Sequence, residues 1–431
     1  MKKSRPTKRP TQLLEIVKYI SVGLLITLLL VGAKLLIEQQ SIGHRSEILT
    51  YEFLQGQLSP FSANERLPVL VVDISEIPGG KDQPTPRGPL IKLTEAIANQ
   101  GAKAIAIDVD FAPTESGWSS SEDDPEGDPL IFEYCMKLKR DKGVPVFLGI
   151  YGTRAEPADT WLGLPKYKEL AAAGVAPKDD VSKMPRWIQT IGVAERLPTL
   201  SAALAGAYQE SLPGPPKSLA WSIEMTDDHQ HGLERQVGNE LRIAETLVNY
   251  SKLEQLQHET LATITPESVK EAGERFRGRM VILGDATRFI DPFNVPGRER
   301  PVGGVYLEAS GAYTLAIEPL YEFKRSVRLG LDLVVSVAII LGVAWIRYRH
   351  LKEGEKFPWH KWQSRFIYGT VAVVIFAGIL LVRWLGIMWL DFFLVVFALL
   401  LHPSVEGWFD RFRKGRKGDG RKRPGRREKH A

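Results

Sequence analysis

Residues 16–37 read IVKYISVGLLITLLLVGAKLLI, and this apolar run constrains the chain more than any other feature. At about 1.5 Å per helical residue it crosses a hydrocarbon core of roughly 30 Å, where water is absent and the backbone must satisfy its own hydrogen bonds as a helix. A cleaved secretory leader would be shorter and end in small residues, whereas this run passes through Lys34 into Glu38-Gln39-Gln40, so it reads as an uncleaved anchor. Three further runs, 329–346, 366–382 and 384–401, predict helices of the same kind, with Arg383 in a tight turn between the last two. One anchor before and three after leave residues 38–328 as a single large polar domain.

Basic residues flanking membrane helices stay on the cytoplasmic side. Residues 1–18 carry a charge of +5, the loop 347–365 carries +4 and the tail 411–431 carries +9. All three blocks face the cytoplasm if the chain starts inside and crosses four times, which places both termini in the cytoplasm and the domain outside the inner membrane. The remainder then holds −13 to reach the net +5, so the alkaline isoelectric point belongs to the cytoplasmic ends. The tail 402–431 is rich in like charge and poor in apolar residues, which predicts disorder and attraction to anionic lipid; without interleaved aromatic rings, nucleic acid is not an expected partner.

Within 38–328, short apolar runs alternate with amphipathic stretches, which predicts an α/β domain with a mainly parallel sheet flanked by helices. The strand candidates are 68–74 (PVLVVDI), 104–109 (AIAIDV), 145–150 (PVFLGI), 246–250 (TLVNY) and 280–284 (MVILG). Helices are expected over 90–99, ending at Gln100-Gly101, and over 198–208, 266–275 and 305–315. The acidic, turn-rich segment 116–128 reads as an exposed loop. A single cysteine, Cys135, rules out an intramolecular disulfide and reads as a small buried apolar residue.

Several of these residues together resemble a known family. Val71-Val72-Asp73-Ile74, Pro86-Arg87 and the run Gly101 to Phe111 (GAKAIAIDVDF) are similar in order and spacing to the second type of CHASE domain, a sensory extracellular domain associated with cyclases and histidine kinases. So are Val248-Asn249-Tyr250, Arg277-Gly278-Arg279, Asp291, Pro296 and Val302-Gly303-Gly304-Val305. The resemblance implies a bacterial signal-transducing sensor with three membrane helices after the domain. In multidomain relatives the last helix leads into an output domain; here only residues 402–431 follow it, so a separate cytoplasmic effector is expected.

Asp73, Asp108 and Asp110 fall at or just past the carboxyl ends of two predicted strands, where open α/β sheets bind ligands. They suggest an acidic pocket for a cation or an amine-bearing ligand, with Asp291 joining it and Arg87 balancing the charge. The alternative is that these carboxylates cap helices, accept turn hydrogen bonds or pair with Arg87. No nucleotide-binding, nucleophile-elbow or zinc motif is present, and His229 and His231 lie in a polar stretch read as a solvated loop, so neither cofactor nor metal is expected. Within the spans, Lys34 and Asp332 fall in one leaflet in position to pair, and Asp391 lies about 12 Å into its helix, where it could serve helix association or signal transfer.

Three readings follow. The first is a sensor-like membrane protein that binds an unknown extracytoplasmic signal and relays it to an effector. The second is an envelope scaffold that holds another envelope protein. The third, an extracytoplasmic enzyme using the aspartates, rests on that cluster alone, and the chain is not expected to be an enzyme.

Overall fold

The computed structural model describes residues 41–58, 66–79, 84–113, 127–151, 160–174, 187–189, 197–210, 235–237, 240–242, 245–262, 265–287, 292–353 and 357–397, with single helical positions between 14 and 36 and at 400. Lys34, His229, His231, Asp291 and the basic tail lie outside them. In chain order the principal elements are α1 (Ser41–Leu58), β1 (Val69–Asp73), α2 (Arg87–Asn99), β2 (Ala104–Ile107), α3 (Gly127–Lys142), β3 (Val146–Ile150), β4 (Ala171–Ala173), β5 (Trp187–Gln189) and α4 (Leu200–Glu210). They continue with β6 (Arg235–Val237), β7 (Glu240–Arg242), β8 (Glu245–Leu247), α5 (Leu253–Glu259), α6 (Pro266–Glu271), β9 (Met280–Gly284), α7 (Gly304–Ala316), β10 (Tyr321–Glu322), α8 (Arg325–Glu353), α9 (Trp359–Leu385) and β11 (Ile387–Met388).

The chain divides into two units. One is built on Tyr51–Lys324 and also takes in Val382–Met388; the other contains α8 and most of α9. The heart of the first is a five-stranded parallel sheet in the order β1-β9-β2-β3-β4. In the register Val69 faces Met280, Ala104 faces the same Met280, and Ile105 faces Val146. Alternate residues point to opposite faces of a strand. Leu70, Val72, Ile105, Ile107, Val146, Leu148, Val281 and Leu283 join Leu90, Ile97, Ile131, Phe132 and Phe276 in one core, under α2, α3 and α6. Their neighbours Val69, Val71, Ala104, Ala106, Met280 and Ile282 are equally buried on the other face, which α4, α5 and α7 cover. Covering both faces is why these strands read as continuous apolar runs instead of alternating ones.

Four expected strands enter this sheet, 280–284 with its expected bounds and the other three shortened by one or two residues. The fifth, 246–250, does not: β8 pairs antiparallel with β5 in a separate ribbon, with Trp187 facing Leu247. The main sheet instead takes β4, three alanines that carry little intrinsic strand preference and are strands because Leu148 and Ile150 present a free edge to them. Helix α2 ends as expected, with Gly101 at φ 82° and its N–H on Ala98 O. The expected helix 266–275 breaks after Glu271 into a short 3-10 turn at Gly273–Arg275.

The acidic segment 116–128 needs a correction at its end. Gly127 and Asp128 are buried in the first turn of α3, and Asp128 is fully enclosed. Its carboxylate holds Arg87 Nε at 2.6 Å.

In the second unit α8 has 29 residues and α9 has 27, each apolar and long enough to cross a membrane. Apolar Leu333, Val334, Val337 and Leu341 lie exposed along α8. At the loop between the two helices the Arg347 guanidinium lies 3.4 Å from the centre of the Trp359 ring, and Phe357 stacks on Trp362. Helix α9 runs through Arg383 and Trp384 to Leu385, so Arg383 sits in its last turn and the reversal falls at Gly386–Leu390. Helix resumes over 392–397. Asp391 therefore opens the final helix, with Leu394 N–H on its carbonyl at 3.0 Å, and does not lie two turns inside it. Asp332 and Asp391 are both buried.

Candidate functional site

The strand order creates one special edge. β1 and β2 lead into α2 and α3 on one face of the sheet, whereas β9, inserted between them, leads into α7 on the other. Connections diverge on both sides of β9, and such a switch point leaves a crevice at the carboxyl ends. Asp73 pairs with Gly284 in the register, and Asp108 N–H donates to Leu283 O at 2.7 Å, so Asp73, Gly284 and Asp108 stand in a row across three strands. Two strand spacings put the outer Cα atoms about 10 Å apart. By alternation all three face α7.

Gly284 is what lets the row close. A Cβ there would lie 3.0 Å from Asp108 Oδ2 and 2.6 Å from Val305 Cγ2, so the Asp108 carboxylate and the first turn of α7 meet over the missing side chain. The N-terminus of α7 has no side-chain cap of its own, and a carboxylate beside it is favourable to the helix dipole.

The aspartates divide by what holds them. Asp73 is buried: Oδ1 accepts from Ser75 N–H at 3.0 Å and from Ala286 N–H at 3.1 Å, and Oδ2 accepts from Ser75 Oγ at 3.0 Å. These bonds tie the end of β1 to the loop after β9 as a latch. Asp110 is exposed; Oδ1 accepts from Ala112 N–H at 2.8 Å and Tyr151 N–H at 3.3 Å, joining the β2 and β3 loops. Asp108 is half-buried between them. Tyr306 of α7 meets Thr260 Oγ1 at 3.1 Å; burial raises its hydroxyl pKa, the Thr260 bond opposes this and the Asp73 charge adds to it.

Arg87 has a different job from the expected one. Its guanidinium donates to Asp128, to Thr85 O at 2.9 Å and to the carbonyl oxygen of Asp110 at 3.5 Å, and lies 4.0 Å over the Phe111 ring. It supports the floor of the β2 loop from inside, 1% exposed. Trp161 Nε1 donates to Phe111 O at 3.1 Å, and its ring packs on Phe132.

Sequence reasoning passed over Glu308, the single charged residue of α7. Buried at 3% exposure, it accepts from Ser201 N–H at 3.1 Å and Ser201 Oγ at 2.5 Å, so α7 supplies the carboxylate that caps the first turn of α4. Its isolation within an apolar helix was the available signal. Among the described residues no group of three or more His, Cys, Asp or Glu is arranged to hold a metal ion. Burial raises the Cys135 thiol well above its usual range, which keeps it protonated.

No curated protein and no solved structure matches the chain. The family model of the CHASE2 domain matches residues 22–344, a stretch that takes in the central sheet, the β9 switch point, all of its flanking helices and the greater part of the long apolar helix α8 beyond them, and the chain belongs to the CHASE2 domain family.

Proposed function

We propose that this protein is a multi-pass sensor of the bacterial cytoplasmic membrane, whose extracytoplasmic domain takes up a signal molecule and relays its presence to a separate cytoplasmic effector. The family is one of sensory extracellular domains. The observation that supports the ligand-binding part is the switch point at the carboxyl end of β9, where Asp73, Gly284 and Asp108 stand in a row and Asp110 joins the neighbouring β2 and β3 loops. The acidic rim suits a cation or an amine. Both termini face the cytoplasm in this reading, and the basic tail 411–431 lies against anionic lipid.

The test uses the full chain in lipid nanodiscs, screened by thermal shift against divalent cations and small aliphatic amines. A ligand present at 100 times its Kd stabilises the folded state by about 2.7 kcal/mol. Asp108→Asn with Asp110→Asn should abolish the shift while leaving the unliganded melting temperature within a few degrees. A shift that survives the double change removes the crevice as the site. No shift from any probe, together with specific retention of an envelope protein by both forms, would replace the sensor with the scaffold.

A further inference from the structure

Hydropathy reads 384–401 as a membrane helix entered through a turn at Arg383, yet this stretch contains β11. Tyr321 faces Ile387 and Glu322 faces Met388 in a parallel pair, and Tyr321 N–H donates to Gly386 O at 2.8 Å. Ile387 and Met388 are completely buried. Gly386 ends α9 with its N–H on Val382 O at 3.1 Å and sits at φ 65°, as a helix-terminating glycine does. A Cβ at this position would lie 2.5 Å from Pro319 O. Glycine is thus required twice, for its backbone angle and for the approach of the domain's own chain. The segment Val382–Met388 accordingly belongs to the same compact unit as Tyr51–Lys324.

We propose that Gly386–Met388 is a strand of the extracytoplasmic domain, a strap through which movement at the carboxyl-edge crevice reaches the last two membrane helices. The route is continuous. Helix α7 begins over Gly284 and Asp108, and its 13 residues form a rod about 20 Å long. At the other end of this rod Thr314 Oγ1 accepts from Asn249 N–H at 2.8 Å, and just beyond it Glu318 Oε2 accepts from Asn249 Nδ2 at 3.0 Å. Leu320 bridges to Leu247 in β8, and the next residue is Tyr321, the partner of the strap. The same short segment holds α1: Val248 O accepts from Tyr51 Oη at 2.5 Å and from Gln55 Nε2 at 2.8 Å, and Tyr250 N–H donates to Gln55 Oε1 at 3.0 Å. Residues 247–250 therefore join the helix that follows the first anchor, the rod that starts at the crevice and the strap that enters the last helix pair. A shift of α7 moves both membrane connections together. Only the direction of information rests on the sensor reading; the strand pairing stands without it.

The pairing is tested in the full chain in nanodiscs with Glu322→Cys and Met388→Cys, the native Cys135 being buried. Folded under oxidising conditions, the double-cysteine variant should carry a 322–388 disulfide cross-link that neither single variant forms, read by mass spectrometry after free thiols are alkylated in denaturant. In a second measurement, Gly386→Val should speed hydrogen exchange at the Tyr321 amide by roughly tenfold or more, while Gly369→Ala, where a Cβ meets nothing within 4 Å, leaves it unchanged. Absence of the cross-link in a variant whose Cys135 still resists alkylation, or unchanged Tyr321 exchange in Gly386→Val, overturns the strap. These results are independent of the thermal-shift screen, so failure of the strap and failure of the sensor reading are told apart.

Discussion

Asp128→Ala is expected to destabilise the domain by about 3–5 kcal/mol, the cost of leaving a buried cation without its counter-charge. The structure makes Arg87 a stringent case. Its side chain is 1% exposed and that of Asp128 is 0% exposed, with 2.6 Å between Nε and Oδ1. After the change the guanidinium keeps Thr85 O, the more distant Asp110 O and the Phe111 ring, all weaker partners than a carboxylate. Loss of the carboxylate from the first turn of α3 adds about 0.3–1 kcal/mol through the helix dipole. For a domain of this size, at about 2.1 cal/mol/K of unfolding entropy per residue, the total lowers the melting temperature by about 5–10 °C. Unfolding is followed by the fluorescence of Trp161, which packs against Phe132 at 4.5 Å, and by alkylation of Cys135 on the same helix. Arg87→Met combined with Asp128→Leu should recover most of the loss, because the double change removes the cation together with its counter-charge. A single variant that costs under about 1 kcal/mol, or a double variant as unstable as the single one, would refute the argument that burial of an uncompensated charge sets the penalty.

Gly284→Ala forces either Asp108 or Val305 to move, and should cost about 1–3 kcal/mol in chemical denaturation; an unchanged midpoint would show that the α7 turn has slack. Glu308→Leu strips the cap from α4 and leaves the Ser201 N–H and hydroxyl without their carboxylate, so a loss of about 2–4 kcal/mol is expected, against a smaller loss for Glu308→Gln, which keeps an acceptor. Cys135 has a folded-state pKa raised by burial, so its contribution is complete below the unfolded value of about 8.5 and is lost as pH rises above it. Between pH ~8.5 and ~10, stability should fall by up to about 1.4 kcal/mol per pH unit in the native chain and correspondingly less in Cys135→Ala, measured by urea unfolding at each pH.

Much of the fold was legible because hydrophobic patterning is a local signal. The runs at 68–74, 104–109, 145–150 and 280–284 announce strands buried on both faces, and Gly101 announces the end of α2. The segment 246–250 looks like the others, yet its partner is Trp187–Gln189, a pairing no local window contains. The site was legible in part for the same reason. A strand-end aspartate is visible in sequence, but whether it latches a loop, as Asp73 does onto Ala286, depends on a residue 213 positions away. Arg87 and Asp128 are 41 positions apart, and the acidity around Asp128 disguised a core residue as part of a loop.

By itself the sequence determined the two long apolar helices α8 and α9, the charge asymmetry of the chain and the α/β class with its parallel strands, because each depends on composition or on the periodicity of neighbouring residues. Only the tertiary structure decided the insertion of β9 between β1 and β2, the partners of Arg87 and Glu308 and the position of Asp391 at the start of a helix. It also turned the apolar stretch Ile387–Leu390 from presumed membrane helix into a strand and turn. A run of apolar residues is equally at home in lipid or in a protein core, and what separates the two is Gly386 meeting Pro319 O, a contact made only when the chain has folded.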